Sequence, residues 1–462
     1  MARRLGALFA GVLLALTTVF AAYAGHGSTY RVSEGPGGVD PDDDSSRVVI
    51  ARDGNFIVYH SRANNLVAGD QHGAGTDVFA TDITNPASPV TVFVSKDNNG
   101  TNNPDGDSTF PAVSNDVSGT RYVVFQSVAT NLLVGQTTAG GNILRRNLTT
   151  GATELVSSKA DGNDGPGNNT RPTVSCDGRY VAFNSTGKLV PEDTDTNTDV
   201  YLRDMSLAPG TAGWMTRISQ TIAGGTNEDS IRAIIDCSGD HIVFASGAAL
   251  IPADVNAQDD IYRWTRGVGV ELASLKDDEG QFNKSSQRPW ISPEGNWVVF
   301  QTAATNVPGD TNGNHDIYLR NMTAGTTTLV SLKADGTQPG GANTRGVVSD
   351  NGRYVAWAAN SPLVNTDKNG RRDVYVRDMT LLPSTGIVRV SERTDHTEGA
   401  CPATAAASTG GYTTAARAGT TNISTRPTIS ADGMRIGYTS SFCTLDPDDG
   451  TPVDDIYLTV RT

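Results

Sequence analysis

Two sets of polar residues recur along this sequence at fixed intervals, and both are of types that bind charge. Seven residues before each of six glycines stands an arginine: Arg47, Arg171, Arg232, Arg288, Arg345 and Arg426. A guanidinium is a planar fork of N–H donors that matches the oxygens of a carboxylate or phosphate. Six of them gathered in one place repel one another unless anions compensate them. The set reads in two ways: as a site for a carboxylate- or phosphate-bearing ligand, an acidic peptide included, or as arginines engaged in salt bridges between repeats.

The second set is acidic. Asp193, Asp195, Asn197 and Asp199 fall at every second position, as do Asp254, Asn256, Gln258 and Asp260, and Asp310, Asn312, Asn314 and Asp316. A fourth run keeps Asp367, Asn369 and Asp373 but has Arg371 in its third slot. Oxygen ligands at alternating positions suit calcium, a hard cation that wants several oxygens. Against calcium, no Glu follows at the twelfth position. The other reading has the last Asp capping a turn while its neighbours pair with arginine or meet solvent.

The elements that must position these residues are strands. Arg179–Ser185 alternates Tyr180, Ala182 and Asn184 with Val181 and Phe183, the two-residue period of a strand with two different faces. Asp177-Gly178 before it is a hairpin turn. Val200–Leu202 and Met215–Ser219 follow as third and fourth strands, with Arg171–Ser175 as the first. The unit repeats seven times, registered on Gly54, Gly119, Gly178, Gly239, Gly295, Gly352 and Gly433. The second strand recurs as FIVYHS, YVVFQS, YVAFNS, HIVFAS, WVVFQT, YVAWAA and RIGYTS, and the fourth ends on Val-Ser or a close variant. Only the second copy lacks the arginine and carries Phe110 instead.

The seventh copy has no fourth strand, and Tyr30–Ser33 before the first copy matches the missing piece. A ring closed in this way removes unpaired edges. We therefore expect an all-β fold: a seven-bladed β-propeller of four-stranded antiparallel blades, closed by an N-terminal strand that completes the last blade. The arginines would open the innermost strands at one mouth of the channel. The acidic loops between second and third strands lie on that same side, so the two sets are expected to meet. A Gly-, Ala- and Thr-rich insertion at about 392–424 reads as a surface loop.

The P-x-x-S-x-D-G-R-Y-V-A-F run, the D-x-Y-x-R-D run and the terminal Val-Ser resemble TolB-type β-propeller repeats, also described as WD-repeat-like. That resemblance implies a binding role toward protein or cell-envelope components. The fold also hosts enzymes, so the alternative is a lyase or glycoside hydrolase acting on polyanionic sugar at the channel mouth.

Residues 1–24 have Arg3 and Arg4, then an apolar run, then Ala22-Tyr23-Ala24, the plan of a cleaved secretory signal. Residues 25–462 would then form one propeller, outside the cytoplasm. Without the leader, basic residues fall from 36 to 34 against 50 acidic, which argues against nucleic acid as a partner. No later stretch is apolar enough to span a bilayer. Four cysteines in an exported chain allow two disulfides, for which Cys176–Cys237 and Cys401–Cys443 are the favoured pairs; buried free thiols or another pairing are the other readings. No nucleophile elbow, zinc-binding His pair or phosphate loop appears.

Overall fold

The computed structural model describes residues 27–70, 72–73, 75–97, 103–133, 141–220, 228–393, 424–442, 445 and 453–462. The expected leader at 1–24, Cys401, Cys443 and nearly all of the expected 392–424 insertion lie outside these residues. Seven sheets of four antiparallel strands make up the chain. In the third blade Tyr180–Ser185 pairs residue for residue with Asp199–Asp204. The alternation read in that strand has a direct use. Val181 and Phe183 pack against the second blade, while Ala182 packs against the fourth.

Every blade therefore buries both faces against its neighbours, and seven apolar clusters fill the seven interfaces. The cluster that joins the ends contains Val32, Ile57 and Leu458, from the N-terminal segment, the first blade and the last strand. Stacked pairs such as Phe183–Tyr201 and Phe300–Tyr318, each 5.9 Å between ring centres, repeat within the blades. The N-terminal strand spans Ser28–Arg31 and pairs with Asp455–Val460, two residues earlier than the Tyr30–Ser33 expected. Val32 and Ser33 still bond to the last strand, the Val32 amide to the Ile456 carbonyl at 2.7 Å and the Ser33 hydroxyl to Asp455 at 2.6 Å.

The turn glycine is required twice over. Gly178 has φ +75, and a Cβ there would lie 2.2 Å from the Tyr122 ring of the preceding blade. Beside this turn, Cys176 and Cys237 are disulfide-bonded, linking two blades across 61 residues. A crosslink over such a loop restricts the unfolded chain. Replacing both cysteines by alanine is expected to cost about 2–4 kcal/mol, read as a lower denaturant midpoint with a steeper slope, because the uncrosslinked unfolded chain exposes more surface. The peptide groups of the same turns form a head-to-tail chain: Asn115 bonds to the Cys176 carbonyl, Cys176 to that of Cys237, and Cys237 to that of Pro293.

Candidate functional site

The first strand of each blade runs along the channel, and its third residue is the repeated arginine. The expectation that arginine starts this strand is off by two residues. In every blade the pairing slips there, so that two residues of the first strand oppose one of the second. Arg47, Arg171, Arg232, Arg288, Arg345 and Arg426, together with Phe110, all sit at φ between +53 and +63. This left-handed backbone is unfavourable for a residue with a Cβ, and the bulge turns all seven side chains toward the axis. Proline follows Phe110, Arg171, Arg288 and Arg426. It is tolerated because the inner edge of the sheet has no further strand to receive an N–H.

In the second, fourth and sixth blades the fifth residue of the preceding blade's second strand accepts the bulged amide. Asn184 Oδ1 accepts the Arg232 amide at 3.0 Å, and Gln301 Oε1 accepts the Arg345 amide at 3.2 Å. His60 Nδ1 accepts the Phe110 amide at 3.4 Å. Burial, then the charges of Arg47 and Arg426, push the His60 imidazole down to about 3, so it stays neutral and can accept. These positions are legible in the second-strand motifs as polar residues where the alternation leaves room for either kind. Nothing in the motifs marks them as more than strand.

The seven side chains converge on a cavity of about 220 Å³, lined also by Val49, Thr173, Ile234, Trp290 and Val347. Phe110 takes Arg47 and Arg171 on its ring, at 3.8 and 4.7 Å from its centre. Among the described residues no carboxylate forms an ion pair with any of the six arginines. Burial and then mutual repulsion push Arg47 and Arg345 down to about 9 and Arg232 to about 10. Relieving that repulsion should stabilise the ligand-free chain. Arg345→Gln is expected to raise the melting temperature at low ionic strength, with the gain shrinking as salt screens the ring.

The arginines and the acids do not meet as expected, because the acids have partners inside their own blades. In six blades the Asp that opens the third strand accepts a hydrogen bond from the serine of the terminal Val-Ser or its variant, and in the second blade Asn142 accepts one from Ser157. Ser219 bonds to Asp199 at 2.6 Å, Ser331 to Asp316 at 2.6 Å and Ser391 to Asp373 at 2.6 Å. The Asp that opens the loop accepts the Tyr hydroxyl eight residues on, as Asp193 does from Tyr201 and Asp310 from Tyr318, each at 2.5 Å. Asp254 is bonded likewise to Tyr262, and Asp367 to Tyr375. The recurrence of D-x-Y and V-S is thus one network that ties loop, third strand and fourth strand together.

What differs between blades is how the paired carboxylates are compensated. In the third blade Arg217 reaches Asp193 at 3.4 Å, Asp195 at 2.7 Å and Asp199 at 2.9 Å. These acids, whose oxygens lie within 4.8 Å of one another, form a cluster of the kind that can hold a cation, and the guanidinium stands among them. Arg389 serves Asp367 in the sixth blade, at 3.4 Å. In the fourth and fifth blades the equivalent residues are Leu272 and Leu329. There Gln281 Nε2 donates to Asp254 at 2.9 Å, and Gln338 Nε2 to Asp310 at 2.9 Å. Asn312 donates to Asp316 at 3.0 Å while its own oxygen accepts the Asn314 amide at 2.7 Å. Asn256 keeps the same turn, accepting the Gln258 amide at 2.9 Å. No ion pair reaches Asp260 or Asp316 among the described residues, and burial pushes each up to about 6.

At the far end of the first strands the channel is crossed by Arg52. Its Nη2 donates to the Ile291 carbonyl of the fifth blade at 3.2 Å, and its guanidinium lies 5.0 Å from the Trp290 ring centre. No sequence signal singles out Arg52, since only the ring brings the first and fifth blades together.

No family model matches the sequence, and no curated protein matches it. Among solved structures the chain is similar to TolB from Acinetobacter baumannii, 17% identical with a TM-score of 0.41, over 73% of this chain and 64% of that one. The likeness is one of fold. The chain is similar also to the β-propeller domain of the Trilobed protease from Pyrococcus furiosus, 11% identical with a TM-score of 0.49, over 90% and 95% of the two chains. A third is the acylaminoacyl peptidase of Pyrococcus horikoshii, 11% identical with a TM-score of 0.47, over 90% of this chain and 51% of that one. The chain thus spans less than two thirds of the TolB chain and about half of the peptidase.

Proposed function

We propose that this chain is an exported, non-catalytic propeller that binds an anionic group of a protein or cell-envelope partner at its arginine-lined mouth. The observation that carries this reading is the convergence of six guanidiniums on one cavity with no carboxylate paired to them among the described residues. Such a ring is costly to hold together and becomes favourable when an anion enters. The Cys176–Cys237 disulfide supports a compartment more oxidising than the cytoplasm. A glycoside hydrolase on polyanionic sugar would need an acid and a second carboxyl group at the mouth. The side chains lining the cavity supply arginine, proline and apolar groups, so that alternative draws no support from them.

The test is fluorescence anisotropy with a labelled ten-residue poly-glutamate peptide. The double change Arg232→Gln and Arg345→Gln is expected to weaken binding at least tenfold, and binding to fall as salt rises. Unchanged affinity in the double variant would refute the mouth as the site. Calcium, on this reading, belongs to the fourth and fifth blades, where amides rather than a guanidinium face the acid pairs. A melting temperature raised by calcium in the parent, and raised less in Asp310→Asn with Asp316→Asn, is the expected outcome.

A further inference from the structure

We infer that the channel takes an apolar body bearing a single carboxylate, its head on the arginine collar and its body in the waist beneath. The inference rests on the reading of the mouth as an anion site and adds what lies below it. Two residues further along the same strands the lining changes from arginine to Val49, Ile234, Trp290 and Val347. At the far end of the space Arg52 bonds to Ile291 and lies over the Trp290 ring. The volume of the space, about 220 Å³, exceeds the ~150 Å³ of an apolar cavity able to hold benzene. A phenyl ring or short alkyl chain fits; a run of sugar rings does not.

Three details favour this chemistry over a bare polyanion. The collar is lopsided: Phe110 replaces a seventh arginine and holds Arg47 and Arg171 against its ring, an apolar surface within the charged rim. A polyphosphate would leave the waist below it unfilled, whereas an apolar body removes Ile234 and Trp290 from water. The Trp290 Nε1–H, buried beside this lining, has no acceptor among the described residues. Two sources present such a ligand, a free small acid and the C-terminal residue of a protein chain.

The experiment uses the chain without its leader, tryptophan fluorescence and calorimetry, with 3-phenylpropionate as probe. The acid is expected to bind at least tenfold more tightly than 3-phenylpropan-1-ol and than inorganic phosphate. The double change Arg232→Gln and Arg345→Gln should lose that preference over the alcohol. Trp290→Phe should abolish the fluorescence change but keep the calorimetric signal. A peptide ending in Phe that binds with a free terminus and not when amidated would mark a chain end as the source. If it fails while the free acid binds, the source is a small acid. Phosphate or poly-glutamate binding as tightly as the phenyl acid would overturn the inference and leave the anionic mouth standing. Alcohol binding as tightly as the acid would overturn it too, and no binding of any anion would remove both.

Discussion

Arg217→Leu is expected to destabilise the protein by about 3–5 kcal/mol, the loss typical of stripping a buried ion cluster of one partner. Arg217 is almost wholly buried and reaches three carboxylates at once. The two neighbouring blades make the substitution informative. They carry leucine at the same place, yet their acids face Gln281 and Gln338, so leucine is tolerated only where an amide has been supplied. Chemical denaturation should show the midpoint falling at constant slope. A second change, Asp195→Asn in the leucine background, should recover part of the loss because it removes one of the uncompensated charges. A variant as stable as the parent would mean that the cluster is neutralised some other way.

The second large effect is a loss of stability as pH rises from about 4 to 7. Asp260 and Asp316, pushed by burial from 3.8 up to about 6, bind protons more tightly folded than unfolded. Their contribution is therefore fully present below pH 3.8, the unfolded value, and is lost as pH climbs through 6. A tenfold change in proton affinity is worth about 1.4 kcal/mol, so each group accounts for on the order of 2–3 kcal/mol. Groups moved the other way act elsewhere: Asp204, held at about 2 by Arg179 against the upward push of burial, loses its contribution only as pH falls below the usual carboxylate range. Melting temperature should thus peak on the acid side, between about pH 4 and 5. Asp316→Asn, which keeps the shape without the charge, should flatten the decline. A curve that rises steadily to pH 7 in the parent would contradict the assignment.

Much of the fold can be read without coordinates because a propeller repeats its physics. Two-residue alternation at Val181–Asn184 says that both faces are buried, and a glycine before each second strand says where the hairpin turns. The unmatched Tyr30–Ser33 says how the ring closes, apart from the two-residue shift to Ser28–Arg31 that the pairing with Asp455–Val460 imposes. The arginines are visible as a set because six of the seven blades place one at the same offset from the turn glycine.

Their situation is another matter. Spacing along the chain cannot tell that Asp199 will meet Ser219 and Arg217 while Arg171 faces other cations and Phe110. That depends on which way a bulged residue turns, and the sign of φ at Arg47 or Arg345 follows from a slip in pairing between strands. Nor can it place Arg52 beneath Trp290, since these residues lie far apart in sequence and meet only across the closed ring. Seven blades, their strands and the recurrence of charge are local properties, written in each repeat and legible there. Which charges find partners is not local, because compensation is a matter of distances between strands and across a channel.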